Sequence, residues 1–494
     1  MTDRNPARRG VACAVTALLL ASCSPPPAEP EPGPPTPART TMSPSPAPAP
    51  ASAAAPLVST PPAAVASPQA AATPAASNPF DAVYDPAFEL KPLASDPVPE
   101  AERPAQATGP ESGMADPVYG TRLYRATDSA DGEGGRMRHE YSRRQAFNAD
   151  NSRYLAQDGT GRWYLYDART FTKLRVLSEL VGDCEPIWHP KDPNKLYLTT
   201  RNGGTFWWLH DIENGAKEVV FDFAGATDWP KATSFWTKGE GTTSADGRLL
   251  ALMATSYDES TRSNTIHGLV TLDLQARKIV GTLDASSFPV PNAFPDHIST
   301  SPSGRHVVVS WLGGQGGTRA YTPDFTGSRQ LTSGSEHSDL AFGPNREDYL
   351  VYADYDAGKI AAINVDNGEL LDLHPLYPAP GEAYALHISG QAFDRPGWVV
   401  VSTYADSADY GATRPAPTPR PEYRKVWLLE LVPSGRKLSL AHTRGNDQAV
   451  SSEAYFLEPQ ASASRDLSRI IFASNFGGGD VESYIVGLPA WALD

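Results

Sequence analysis

Six polar side chains recur at one offset in this chain: Arg144, Glu185, Glu240, His297, Asp339 and Gln460. Each stands three residues before the anchor of a repeated segment. Those anchors are Phe147, Trp188, Thr243, Thr300, Phe342 and Ala463; a seventh, Phe393, has Gly390 at the offset. Side chains alternate along a strand, so a shared offset implies a shared direction. The set is therefore expected to line one axial channel. Glu240, His297, Asp339 and Gln460 are donor types that suit a divalent cation such as Ca²⁺ or Mn²⁺. Arg144 can pair with a ligand carboxylate through both arms of its fork. His297 or His387 can serve as a general base, with Arg144 neutralising the acid group beside the proton removed. Glu185 and Gln391 complete the expected polar lining as ligand-binding candidates. A solvated ring that does no chemistry is the plainer reading of the same residues, since a fold does not carry a function.

The elements that must position these groups repeat. The segments read FNADNSRYLAQ, WHPKDPNKLYLTT, TSADGRLLALMA, TSPSGRHVVVSW, FGPNREDYLVYAD, FDRPGWVVVSTY and ASRDLSRIIFAS, with anchors 41 to 70 residues apart. Periods at the short end are those of propeller blades. Each unit continues as strand, tight turn and strand, with turn residues near Asp167, Asp211, Gln275, Asn367 or Ser434. Four strands per unit predict an all-β fold, a seven-bladed β-propeller over 116–494. The last unit stops one strand short. The segment TRLYRAT, 121–127, is expected to supply that strand as an N-terminal latch. Insertions between strands are where binding surfaces sit. Trp229 and Trp236 lie in one of them and are candidate platforms for a sugar ring. His442 and Arg444, in the loop between the sixth and seventh units, are candidates for binding an acidic sugar, although His442 can equally cap a strand end. Trp207, Trp208, Trp311 and Trp427 fall on strand patterns and are expected to pack the blades.

The N-terminal region predicts an address. Residues 1–22 carry Arg4, Arg8 and Arg9 before an apolar run, the pattern of a signal peptide. Leu20-Ala21-Ser22-Cys23 resembles a bacterial lipobox, which implies lipid on Cys23 and, with Ser24 next, an outer-membrane anchor with the domain in the periplasm or at the cell surface. Residues 23–115 are rich in Pro, Ala, Ser and Thr and are expected to form a disordered tether. Cys184 then stands alone, a small buried residue rather than a nucleophile. The net charge is −15, and removing a leader with three arginines and one aspartate leaves the rest near −17. Such an acidic chain, with no lysine or arginine cluster, is not expected to bind nucleic acid. A glycan or an envelope protein is the expected partner, and a monomer the expected state.

The repeat units resemble bacterial WD40-like, TolB-type propeller repeats, which implies an envelope scaffold. The stretches LAHTRGNDQAVSSEAYFLEPQASASRDLSRIIFASNFGGGDVESYIV and EHSDLAFGPNREDYLVY also resemble the oligogalacturonate lyase family. That resemblance implies β-elimination across uronates with a metal held by His and Gln. Two functions are carried forward: a lipid-anchored propeller that binds a ligand at its channel mouth, and a metal-dependent polysaccharide lyase. An envelope assembly scaffold is the third.

Overall fold

The computed structural model describes residues 78–98, 103–312, 314–334, 337–376, 384–406, 420–447, 449–450 and 454–494. They belong to one compact unit, Ala76–Asp494. Cys23 and the leader lie outside the described residues.

Alternating β-branched and aromatic strands, broken by Asp, Asn and Gly turns, fold as antiparallel meanders. Five sheets have four strands each, and every one follows chain order from the inner to the outer strand. In the fourth unit the strands are Pro295–Thr300, Val307–Trp311, Thr318–Tyr321 and Ser328–Thr332. A nine-stranded sheet joins the first and last units. Its seventh-unit half contains Ser462–Ala463, Arg469–Ser474 and Val481–Gly487; its first-unit half contains Arg153–Asp158, Arg162–Asp167 and Lys173–Val181. A parallel pair, Val481 with Arg136 and Glu482 with Met137, connects them. The five sheets and the two halves accord with seven repeat units. Among the described residues there is no α-helix, and no helix is long and apolar enough to cross a membrane.

Arg122–Arg125 pairs antiparallel with Val481–Gly487, Arg122 opposite Gly487 and Arg125 opposite Tyr484. This is the latch: the segment just before the first unit completes the last blade and covers an edge that would otherwise be free. Beneath it, buried Glu482 is held by Arg103 and Arg125.

The tether expected over 23–115 ends earlier than its composition suggests. From residue 78 the chain packs on the propeller. Phe80 is fully buried, Tyr84 donates to Gly487 O at 2.6 Å, and Asn78 Nδ2 donates to Leu488 O at 2.8 Å. Gly487 makes room for the Phe80 ring, which a Cβ would meet at 2.3 Å. Farther on, Leu93 N donates to Lys437 O at 2.8 Å and Ser439 N to Lys91 O at 2.9 Å. This strap adds a short antiparallel contact, Pro92 with Leu438, to the outer strand of the sixth blade. A few aromatic and leucine side chains supply the burial that the prolines cannot.

Candidate functional site

The inner ends of the blades meet around a segment, Glu140 to Ala146, that forms no strand of its own. Arg143 Nε donates to Ser338 O of the fifth blade, and its Nη1 pairs with Glu240 of the third. The same Nη1 lies 3.0 Å from His297 Nδ1 of the fourth blade. Arg144 Nη1 donates to Gly241 O, and Nη2 donates to Pro186 O of the second blade at 3.2 Å. Gln145 Nε2 donates to Gln391 O of the sixth blade at 3.3 Å, and Ser462 Oγ of the seventh donates to Arg144 O at 2.7 Å. The axis is thus filled by a peptide plug whose two guanidinium groups satisfy carbonyls at the inner ends of its neighbours. The open channel expected from the repeat offset is closed at this level.

The offset residues do meet at this axis, in separate roles. Glu185, fully buried with φ 51°, accepts from Thr237 N at 2.9 Å and from Gly239 N, tying the second blade to the third. Arg144 is spent on the Gly241 and Pro186 carbonyls and on Glu140, 3.2 Å away, rather than offered to a ligand. Asp339 accepts from Gly390 N at 2.7 Å and from Gln391 Nε2 at 3.2 Å. The glycine in the ring has a steric cause: a Cβ on Gly390 would lie 2.2 Å from Leu340 O. Gln460 accepts from Arg138 Nη2 through its Oε1, and its carbonyl O lies 2.8 Å from His139 Nε2. The four expected cation ligands therefore split, because Gln460 and Asp339 bond protein donors while Glu240 and His297 stay together.

Two clusters result. The first is acidic. Ligand atoms of Glu240, Asp296 and His297 all lie within 4.8 Å of one another. His297 Nδ1 is 3.8 Å from Glu240 Oε2 and 3.6 Å from Asp296 Oδ2, and Lys238 Nζ is 3.3 Å from Asp296. Burial and the neighbouring Arg143 hold the His297 imidazole below its usual range, against the opposing pull of Asp296 and Glu240. Burial works against the Asp296 charge, yet His297, Lys238 and Arg143 keep its carboxyl well below the ordinary carboxylate range.

The second cluster is aromatic and basic. His387 Nε2 lies 2.7 Å from Glu458 Oε2. Its ring stacks on Tyr404 at 5.1 Å and stands 4.9 Å from His337 and 5.5 Å from Tyr141. His337 Nδ1 is fixed at 2.6 Å from Leu386 O. Burial, then Arg143 and Arg138, push His387 down to about 3; burial and His387 push His337 down to about 4. Burial raises Glu458 to about 7. Of the three, only Glu458 titrates near neutrality and so can both take up and release a proton there, while the two imidazoles stay neutral acceptors of weak basicity.

Four expected ligand contacts sit elsewhere. Trp229 is not an exposed platform: it is 9% exposed, donates from Nε1 to Asp284 at 2.9 Å, and packs where Gly268 has no Cβ. Trp236 donates to Thr255 Oγ1 at 3.0 Å on the inner strand of the third blade. His442, fully buried on the outer strand of the sixth blade, lies 2.9 Å from Asp96 under the strap. Arg444 packs over Phe476 and 3.4 Å from Asp116 at the same rim. None of the four lies in either axial cluster. Arg143, Asp296, Arg138, Tyr404 and Glu458 do belong to the clusters and lie off the shared offset. Adjacency to Arg144, His297 and Gln460 was the available signal for three of them.

Fold and site together define an all-β propeller whose axis is plugged and whose ionisable groups gather in two axial clusters. No family model matches this chain, and no curated protein matches its sequence. Solved structures do match in shape. An oligogalacturonate lyase in complex with manganese superposes with a TM-score of 0.53 at 15% identity, over 77% of this chain and 97% of that one. An oligogalacturonate lyase from Vibrio parahaemolyticus gives 0.52 at 13% identity, over the same shares. At these identities the likeness establishes the propeller fold.

Proposed function

We propose that this propeller is a ligand-binding protein of the cell envelope whose axial mouth takes a glycan. The observation that carries the reading is the deck of rings formed by His337, His387 and Tyr404, edged by Glu458 and Arg138. Sugars present apolar faces and hydroxyl edges. Flat side chains meet the faces, and charged groups meet the edges. Calorimetric titration of the soluble domain with wall and surface glycan fragments tests it. Tyr404→Ala should abolish binding at an unchanged melting temperature. A panel that shows no binding, or a variant that binds as well as the parent, rejects the site; a protein captured at the same mouth would make the partner an envelope protein.

A lyase is the second reading, supported by neutral imidazoles beside arginine. A histidine would take the proton next to a uronate carboxylate, and Arg138 or Arg143 would neutralise that carboxylate. The freed electron pair would form the ring C=C bond as the glycosidic C–O bond breaks, the departing oxygen taking a proton from water. The unsaturated sugar end absorbs in the ultraviolet. Its appearance with pectic fragments, and its loss in His387→Ala or His297→Ala, would promote this reading above simple binding. The spacing of Glu240, Asp296 and His297 supports a divalent cation in such a site, whereas the position of Arg143 weighs against one.

The lipobox-like LASC supports an acylated Cys23 and an outer-membrane anchor. Cys23→Ala should move the chain from the membrane to the soluble fraction, since each acyl CH₂ buried contributes about 0.8 kcal/mol. An unchanged membrane fraction rejects the anchor.

A further inference from the structure

We infer that the guanidinium of Arg143 is the resident cation of the acidic cluster, and that this propeller works without a divalent metal there. Glu240, Asp296 and His297 are close enough to share an ion. The centre between them is not free. Arg143 Nη1 pairs with Glu240 Oε2 and lies 3.0 and 3.1 Å from the two nitrogens of His297. It therefore lies against the ring, between His297 and Glu240, in the space an ion shared by those two side chains would need.

Three features make the guanidinium a fixture. Its Nε is held by the Ser338 carbonyl. The side chain is 7% exposed. Its backbone belongs to the axial plug, where Arg144 N closes a turn on Tyr141 O at 3.1 Å and the Arg144 side chain ties the segment to the second and third blades. A metal ion at the cluster would have to push this group out, leaving a buried carbonyl without its donor and two positive charges within a few ångströms. The charge requirement of the cluster is already met: Arg143 answers Glu240, and Lys238 answers Asp296. Guanidinium also suits the job, since it stays protonated under all ordinary conditions and presents several donors in one plane.

A ring of acidic and histidine side chains read from sequence looks like a metal site because the cation supplied by a neighbouring residue is invisible to that reading. Arg143 stands one position before the repeat offset and projects to the other side of Arg144, toward the third, fourth and fifth blades.

Metal analysis and thermal unfolding of the purified domain test the inference, and neither needs the glycan. The parent should carry only background metal, and its midpoint should not move with Mn²⁺, Ca²⁺ or EDTA. Arg143→Met keeps the stem and removes the charge. It should bind about one Mn²⁺ per chain, with a midpoint that rises with Mn²⁺ and falls back with EDTA. The gain should vanish in Arg143→Met/His297→Ala. Arg143→Lys, which retains a cation, should stay metal-free and covers the case in which Arg143→Met does not fold. A parent protein that carries stoichiometric metal lost in His297→Ala overturns the inference. A folded Arg143→Met that takes up no metal, or an Arg143→Lys that does, overturns it equally. Failure of glycan binding alone would leave these results unchanged and would count only against the binding proposal.

Discussion

Two histidine–carboxylate pairs of nearly equal geometry sit at opposite radii of this molecule. At the rim, His442 Nε2 is 2.9 Å from Asp96; at the axis, His387 Nε2 is 2.7 Å from Glu458. Their surroundings differ. Asp96 also accepts from Lys425 Nζ at 3.2 Å and from Tyr119 OH at 2.9 Å, and Tyr119 stacks on the His442 ring at 5.1 Å. Every charge there has an internal answer, as expected of a network that fixes one segment on another. Among the described residues Glu458 makes no close ion pair with a lysine or arginine; Arg138 acts on it from farther off, and burial outweighs it and raises the carboxyl. A histidine beside a carboxylate thus says little by itself. What else the carboxylate is bonded to separates a fastening from a group able to meet a ligand.

The largest test of the rim is removal of the segment. A chain starting at residue 78 should melt as the full chain does. A chain starting at residue 128 loses the strap and latch, and with them the buried Phe80, Leu90, Leu123 and Tyr124. Large buried side chains contribute about 3 to 5 kcal/mol each, and a domain has only about 5 to 15 in all. Such a chain should fail to fold as a monomer, read by circular dichroism and gel filtration. Equal melting temperatures for the two truncations would show that neither strap nor latch closes the ring.

Single substitutions sharpen the contrast. Asp96→Ala strands the buried Lys425 ammonium and should lower stability by about 3 kcal/mol, with glycan affinity unchanged. Glu458→Gln keeps the shape at the axis and should cost under about 1 kcal/mol of stability while weakening ligand binding. Denaturant titration beside calorimetry reads both. Matching stability losses for the two would mean that the axial pair is a second fastening.

The fold was legible because it is written seven times. Turn residues, β-branched strands and anchors recur, so each copy supports the others. The missing outer strand and its donor at 121–127 followed from counting strands. The strap was not legible for the opposite reason. Phe80, Tyr84, Phe88, Leu90 and Leu93 stand among prolines, and their partners lie hundreds of residues away, as with Tyr84 and Gly487. A spacing of aromatics in a tether was the signal available. The offset located the axis but could not show which polar groups spend themselves on backbone, as Glu185 and Arg144 do, nor that Arg143 would enter a cluster built from other blades. His442 reads as a ligand contact because a loop histidine near arginine looks accessible; Asp96 of the strap and the stacked Tyr119 ring cover it.

His442 at the rim and Glu458 at the axis should also respond to pH with opposite sign across nearly the same window. Burial, then Lys425, lowers His442 from 6.5 to about 4. The unfolded chain then takes up a proton that the folded chain refuses, so stability falls as pH drops from about 6.5 toward 4. His139, His337 and His387 share this acid limb, so His442→Gln should flatten only part of it. Glu458 is raised, and its contribution is present below its ordinary range and lost as pH climbs through about 7. Glu140, also raised to about 7 by burial, adds to that limb. Ligand affinity should inflect near neutrality in the parent and not in Glu458→Gln. An inflection that survives the substitution would assign the titration to another group.

The smallest expected effect lies outside both regions. Arg277 and Glu218 pair between the third and second blades with side chains 49% and 58% exposed. Water screens both charges, and holding two long side chains in register costs entropy, so exposed pairs contribute about 0 to 1 kcal/mol. Arg277→Ala should therefore shift the unfolding midpoint by little, and raising the salt concentration should leave parent and variant alike. Asp96→Ala should stay destabilised at the same salt, since the desolvation of Lys425 is not relieved by ions in solution. If Arg277→Ala lost as much as Asp96→Ala, burial would not be what distinguishes the rim network from an ordinary surface pair, and its contrast with the axial pair would have to rest on some other property.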